Sequence, residues 1–116
     1  MKENIIVTKS YDFALNIVKL ATSLRNKNEF ILSKQILKSG TSIGANVEEA
    51  QGGQSKKDFI AKLSIAYKEA RETHFWIRLL KDSDQISNNQ AAPLLKDCDE
   101  LLRIMWNILK TSKQNI

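Results

Sequence analysis

Apolar and small residues recur at alternating intervals of four and three residues in four segments of this chain, and this repeat most constrains its fold. In the third segment the repeat consists of Phe59, Leu63, Ala66, Ala70, Thr73, Ile77 and Leu80. Such spacing places side chains on one face of an α-helix, whereas a half-buried strand would need alternation at every second residue. The chain is therefore predicted to be all-α.

The repeat and the polar breaks between its segments predict four helices, at about residues 10–26, 30–51, 56–81 and 89–111. Short connections favour antiparallel neighbours, so the predicted fold is an antiparallel up-down four-helix bundle. A chain of this length, residues 1–116, is expected to form a single domain.

Polar residues mark the start of the first predicted helix. Ser10 is a candidate N-cap, with Thr8 as the alternative, because a hydroxyl oxygen can accept a hydrogen bond from a free N–H group of the first turn. Residues 4–7 (NIIV) are too short to fold alone. We expect them to form an extended arm against the bundle or against a neighbouring subunit. Residues 110–116 (KTSKQNI) are expected to fray.

All four glycines lie within fourteen consecutive residues of the chain. Gly40 and Gly44 fall inside the second helix, where each costs about 1 kcal/mol relative to alanine. One turn apart, they would form a flat strip that lets another helix approach closely. Gly52 and Gly53 are expected to end the helix through a positive φ angle. Ser55 then begins the third helix as its N-cap.

The third helix carries apolar side chains outside its 4-3 repeat. A helix that is apolar on two faces is buried on two faces, and in a small bundle the second face needs another partner. The simplest partner is another copy of the chain. The predicted oligomer interface consists of Ile60, Tyr67, Phe75 and Leu79.

The chain has a formal net charge of +5, which favours anionic partners such as nucleic acid. Tyr67 could stack on a base beside the basic residues. The alternative interpretation is an ordinary solvated helix surface with a few charge pairs. The candidate nucleic-acid-binding residues are Lys34, Lys38, Lys68, Arg71, Arg78 and Lys81.

The residues that commonly carry catalysis or bind metals are few. His74 is the only histidine and lies far along the chain from the only cysteine, Cys98, so neither a zinc site nor a Cys-His pair is indicated. We predict no enzymatic activity, no metal and no cofactor. Cys98 falls on the apolar repeat, and an inert buried thiol suits a reducing cytoplasm. The N-terminus resembles neither a signal peptide nor a membrane span, so a cytoplasmic protein is expected.

Polar residues lie beside the repeat of the second helix: Ser39, Ser42, Asn46 and Glu49. On a solvent-facing surface they would be unremarkable. At a close helix contact they would form hydrogen bonds across it, and each would need a partner. The spacing alone leaves both possibilities open.

Residues 33–80 resemble the 23S rRNA-intervening-sequence proteins. The likeness centres on a pattern S-I-x-x-N-x-x-E-A/G in the second helix, followed by Phe59 and by LSIAYKEARE at residues 63–72. It extends over about residues 11–110. Many members carry proline where this chain has Gly44, which keeps the position small. The residues of the pattern and its small neighbours are Gly40, Ser42, Ile43, Gly44, Asn46, Glu49 and Ala50.

This resemblance implies an antiparallel four-helix bundle that assembles as a ring-like homopentamer. Related accessory variability determinant proteins of diversity-generating retroelements use a basic pentamer to engage nucleic acid and a polymerase. The resemblance brings no enzymatic activity and no catalytic residues. Together with the net charge of +5 on each chain, an oligomer of this kind predicts a non-catalytic protein that associates with RNA. The alternative is a protein-interaction scaffold that docks an acidic or RNA-bound partner protein.

Overall fold

The computed structural model describes residues 4–114 and consists of four α-helices. They are α1 (Ile5–Asn26), α2 (Phe30–Gln51), α3 (Lys56–Asp82) and α4 (Asn88–Gln114). No strand occurs within residues 4–114. Each helix packs on the next along the chain, and α4 closes the bundle by returning to α1. The prediction of an all-α bundle of four helices is confirmed.

Contacts between helix ends give the bundle its up-down order. The Asn4 side chain donates a hydrogen bond to Gln51 Oε1 at 2.9 Å, which places the start of α1 beside the end of α2. At the opposite end, Lys27 Nζ donates to the Gln85 carbonyl at 3.0 Å. This bond joins the α1–α2 loop to the α3–α4 loop, so consecutive helices run antiparallel.

The core is built from the predicted repeat of all four helices. Ile36, Ile43 and Leu63 are fully buried, and Cys98 of α4 likewise has no exposed surface. At the end of α4 the residue that follows Met105 in the core is Leu109, whereas Ile108, which a continued 4-3 repeat would bury, is only partly buried. The shift follows from geometry, because a helix of 3.6 residues per turn drifts relative to a strict 3.5-residue repeat.

The first helix begins earlier than predicted, at Ile5 instead of residue 10, and Asn4 is its N-cap residue. Ser10 is therefore not a cap. It is buried between Ile6 and Phe13 on the helix face that packs into the core, and its hydroxyl donates to the Val7 carbonyl at 3.2 Å. The expectation of an extended arm was wrong because Ile6 continues the apolar repeat and gains burial only in a helix.

The expectation that Gly52 and Gly53 supply a positive φ was also wrong. Gly52 has a φ of −91°, and no glycine within residues 4–114 has a positive φ. The left-handed residues are Asn28 and Asp84, after α1 and α3, where backbone bonds close Schellman motifs. Gly53 is needed for space, since a Cβ there would lie 3.1 Å from the Ala50 carbonyl oxygen.

Side-chain caps define the starts of the last two helices. Ser55 Oγ accepts a hydrogen bond from the Asp58 N–H at 3.1 Å, which confirms the predicted cap of α3. At the start of α4, the Ser87 N–H donates to Gln90 Oε1 at 2.9 Å and the Gln90 N–H donates to Ser87 Oγ at 3.1 Å. These two bonds form a capping box. Helix α4 continues to Gln114, so most of the tail that was expected to fray is helical. The last two residues of that tail lie outside the described residues.

Helix α2 packs closely on α1 and on α3 through small side chains. Gly40 and Gly44 contact α1, and Ser39 contacts Thr73 of α3. We call these contacts the small-residue seam. A Cβ placed on Gly40 would lie 2.6 Å from Ile17 Cγ2. At Gly44 it would lie 3.2 Å from the Ser10 carbonyl oxygen. Across the α2–α3 contact, the buried Thr73 hydroxyl is hydrogen-bonded to Ser39 Oγ at 2.9 Å, and it also lies 2.7 Å from the Glu69 carbonyl of its own helix.

Candidate nucleic-acid interface

A groove runs along the outer side of the α3–α4 contact. Three adjoining clefts, of about 310, 600 and 410 Å³, share their lining residues and so form one channel. Arg71, Asp99 and Leu102 join the first cleft to the second, and Tyr67 and Trp106 join the second to the third. We call this channel the α3–α4 groove.

Two aromatic rings form the middle of the groove. The ring centroids of Tyr67 on α3 and Trp106 on α4 lie 6.0 Å apart, with an angle of 39° between the ring planes. Tyr67 is partly buried against the core, whereas Trp106 is 55% exposed. An indole supported from one side by a tyrosine ring leaves much of its surface open to a ligand.

The groove is strongly basic. Its lining cations are Lys68, Arg71 and Arg78 on α3 and Arg103, Lys110 and Lys113 on α4. Among the described lining residues Asp99 is the only carboxylate. His74 Nε2 lies 3.0 Å from Asp99 Oδ1 and so occupies one oxygen of that carboxylate. The arrangement gives a local excess of positive charge over a length of both helices.

The other side of α4 has the opposite character. A cleft of about 200 Å³ between α1 and α4 is lined by Asp12, Asp97 and Glu100, with Lys9 as its basic residue. Lys9 Nζ lies 2.9 Å from Glu100 Oε1. This contact raises the pKa of Lys9 and lowers the pKa of Glu100. Helix α4 therefore separates an acidic cleft from the basic groove.

The structure brings together only part of the predicted nucleic-acid-binding set. Lys68, Arg71 and Arg78 lie in the α3–α4 groove. Lys34 lines a separate cleft beside Arg25, at the contact between the end of α1 and the start of α2.

The other two predicted cations also lie apart from the groove lining. Lys38 is on α2 and faces Glu69. The pKa of Glu69 is raised overall, because burial and the neighbouring Glu72 outweigh the opposing effect of Lys38. Lys81 is half-buried, and its ammonium lies 3.8 Å from the carboxylate of Asp82. The predicted set is therefore spread over several surfaces of the bundle.

Half of the groove was missing from the sequence prediction. Arg103, Trp106, Lys110 and Lys113 all lie on α4 and face α3. Their spacings of three, four and three residues place them on one helical face. That pattern was visible in the sequence, but only the packing of α4 on α3 places it beside Tyr67.

The predicted oligomer residues divide into two pairs. Ile60 and Tyr67 are partly buried against the core of their own chain. Phe75 and Leu79 are 47% and 38% exposed, on the face of α3 that points away from the bundle. Ile65 shares that face with 43% exposure and was absent from the prediction. We call Ile65, Phe75 and Leu79 the outer face of α3.

The residues of the family-like pattern lie on α2, away from the α3–α4 groove. Ile43 and Ala50 are in the core, where they are 0% and 2% exposed. Asn46 Nδ2 donates to the Ser42 carbonyl of its own helix at 2.8 Å. Glu49 Oε1 lies 3.1 Å from Lys62 Nζ of α3. The pattern thus serves the packing of α2, which leaves the groove as the candidate binding site.

Among the residues that the structure describes, no three or more His, Cys, Asp or Glu side chains are grouped so that they could hold a metal ion. Nor does any of the helices in residues 4–114 have the length and apolar character needed to span a membrane. The groove's cations and rings are suited to binding a polyanion that carries aromatic groups.

Comparison with known proteins identifies a family and similar solved structures. Residues 2–107 match the model of the family described as 23S rRNA-intervening sequence protein. A crystal structure of a protein with unknown function, of the S23 ribosomal protein family from Bacteroides thetaiotaomicron VPI-5482, is 46% identical to this chain with a TM-score of 0.89. The likeness covers 90% of this chain and 98% of the other. No curated protein matches the chain.

Proposed function

The chain belongs to the family of 23S rRNA-intervening sequence proteins, and we propose that it is a non-catalytic protein that binds RNA through the α3–α4 groove. The observation that carries the proposal is the juxtaposition of six cations with the Tyr67–Trp106 ring pair. The cations attract the phosphate backbone, and the rings offer a surface for bases. Neither contact requires a particular base sequence.

The electrostatic part of the proposal predicts strong dependence on salt. Each phosphate contact releases condensed counterions, so the affinity falls steeply as salt concentration rises. We expect the affinity for a structured RNA to fall at least tenfold between about 50 and 200 mM salt. Fluorescence anisotropy of a labelled RNA measures this. Affinity in moderate salt no better than that of a neutral helical bundle would refute RNA binding.

A matched pair of double variants tests the place of binding. Arg71→Gln with Arg103→Gln removes two charges from the groove, whereas Lys34→Gln with Lys38→Gln removes two charges elsewhere. We expect the first pair to weaken binding about tenfold and to flatten the salt dependence. The second pair should have a clearly smaller effect. Equal losses would show that net charge, and not the groove, determines affinity.

A second function is favoured by the outer face of α3. Ile65, Phe75 and Leu79 are large apolar side chains on a helix whose other side already fills the core. Such a face fits another copy of the chain, in a ring-like homopentamer as the family resemblance implies. In this second role the protein is an assembly scaffold that docks an acidic or RNA-bound partner protein.

Light scattering coupled to size exclusion tests self-assembly. A pentamer would have five times the chain mass of 13.2 kDa. Phe75→Ser with Leu79→Ser should weaken assembly at least tenfold and leave the fold intact, because both residues are exposed. Ile31→Ser, at a residue 75% exposed on α2, is the matched control and should not change the mass. A wild-type monomer at micromolar concentration would exclude this interface.

The scaffold role and the RNA-binding role are separated by nuclease. A partner protein that copurifies from nuclease-treated lysate supports the scaffold, because RNA then cannot bridge the two proteins. Loss of every partner after nuclease treatment favours the RNA-binding role.

A further inference from the structure

We propose that the third cleft of the α3–α4 groove is a pocket for one unpaired nucleotide of a single-stranded RNA segment, with Trp106 as the ring on which its base stacks. This inference rests on the proposed RNA binding and names the form of RNA that the groove selects. We call this cleft the nucleotide pocket. Its functional side chains are Tyr67, Trp106, Lys68, Lys110 and Lys113.

The pocket has the size and polarity that a base requires. Its volume is about 410 Å³, within the range of small-molecule pockets. Trp106, Tyr67 and Leu109 form an apolar floor, and Ser64 supplies a hydroxyl at the edge. A flat heteroaromatic ring would cover exposed indole surface that is otherwise in contact with water.

The rim of the pocket supplies charge for the phosphates beside that base. Lys68 approaches from α3, and Lys110 and Lys113 approach from α4. Within residues 4–114 none of these three ammonium groups forms an ion pair with a carboxylate. Their charges are therefore available to a ligand. An apolar floor with a cationic rim matches a nucleotide, which has an apolar ring and an anionic phosphodiester at each side.

The stacking ring favours single strands over duplexes. A base in the interior of a duplex has both faces covered by its neighbours, so it can reach Trp106 only after it is unstacked, at a cost of a few kcal/mol. An unpaired base has no such cost. Charge alone would give the opposite preference, because a duplex has the higher density of phosphates and releases more counterions per contact.

From the nucleotide pocket, the rest of the groove provides a path for the strand along α3 towards Arg78. From Ser64 to Arg78 the α3 side covers fourteen residues, or about 21 Å at 1.5 Å per residue. That length accommodates about six stacked nucleotides, or fewer in an extended strand. Arg71 and Arg103 lie between the nucleotide pocket and the far end of the groove, where the strand's phosphates would pass.

The test compares three ligands at equal low salt: a labelled seven-nucleotide RNA without self-complementarity, the same RNA in a blunt duplex, and free uridine monophosphate as a competitor. We expect the single strand to bind at least tenfold more tightly than the duplex. Trp106→Ala should weaken single-strand binding about tenfold and change duplex binding less than about twofold. Trp106→Phe keeps an aromatic face and should restore most of the loss. Tyr11→Ala, at an aromatic residue 60% exposed on α1, should change neither.

The outcomes separate this inference from the function on which it rests. If duplex and single strand bind equally and Trp106→Ala has no effect, RNA binding stands and the nucleotide pocket is refuted. If free uridine monophosphate competes as strongly as an unlabelled strand, the assignment to a strand is refuted. If no RNA binds even at low salt, the proposed function and this inference both fail.

Discussion

The contacts on the two sides of α3 are built in opposite ways. Towards α2, the buried oxygens of Ser39 and Thr73 lie 2.9 Å apart in the small-residue seam. Towards α4, Tyr67 and Trp106 stand between the helices at their outer edge and leave a groove. Small side chains let two helices close on each other, whereas long charged and aromatic side chains leave surface for a ligand. One helix thus serves stability on one side and binding on the other.

The reactivity of Cys98 reports how completely the core beneath the groove is closed. Cys98 is fully buried there, and its Sγ donates to the Ala70 carbonyl at 3.3 Å. Burial, with smaller contributions from Asp99 and Asp97, raises the pKa of the Cys98 thiol to about 12. Against about 8.5 in an unfolded chain, this lowers the thiolate fraction at pH 8 by roughly a thousandfold. We expect thiol-reactive dyes to label Cys98 far more slowly in the folded protein than in urea, because the thiol is both buried and protonated.

The same shift affects stability at high pH. The folded-state pKa of Cys98 is the higher one, so the unfolded chain ionises first. The thiol's contribution to the free energy of unfolding is complete below about pH 8.5 and declines as the pH rises towards 12. Rapid labelling of the native protein would show that the groove opens into the core, and the contrast between the two sides of α3 would then be wrong.

Substitution at Gly40 tests the small-residue seam. Gly40→Leu should lower the free energy of unfolding by about 1–3 kcal/mol or more, because its side chain must displace Ile17. Gly52→Ala is the matched control, since a Cβ there meets nothing closer than 3.8 Å. It should be neutral or slightly stabilising. Urea unfolding measures both variants.

Two further measurements test the reason given for the loss at Gly40. Adding Ile17→Ala to Gly40→Leu should recover part of the lost unfolding free energy, because the effects of substitutions at contacting residues are not additive. RNA affinity of the folded Gly40→Leu variant should remain near that of the wild type, because Gly40 does not line the groove. A tolerated leucine at position 40 would mean that α1 does not approach α2 as closely as the structure has it.

The parts of the fold that follow from local spacing were predictable from sequence. The seam of α2, including Ile36, Ile43 and Val47, follows from the 4-3 repeat and is buried as expected. Ser10 was misread because a serine is a common cap, and only the burial of Ile6 and Phe13 on either side marks it as part of the helix interior. Local patterns therefore give helix faces better than they give helix ends.

The candidate site was less predictable because it depends on distances between helices. Lys34 and Lys38 share charge and helical spacing with the groove cations, yet the fold places them on other surfaces. Trp106 is an ordinary exposed aromatic residue in the sequence and gains its role only beside Tyr67. A periodic pattern gives the direction of a side chain from its own helix axis, but not which neighbouring helix it meets.

In the small-residue seam we expect hydrogen bonding to contribute less than the close fit of small side chains. Thr73→Val keeps the shape and removes the bond to Ser39, so it should cost about 1 kcal/mol of unfolding free energy. Thr22→Val is the matched control, because the Thr22 hydroxyl, like that of Thr73, bonds a carbonyl of its own helix, that of Val18 at 2.9 Å, but is exposed. That change should stay within about 0.5 kcal/mol. If Thr73→Val costs no more than Thr22→Val, close packing at Gly40 and Gly44 holds this side of the bundle together. If it costs as much as Gly40→Leu, the buried bond is the main contact, and the seam would depend on polar pairing more than on small residues.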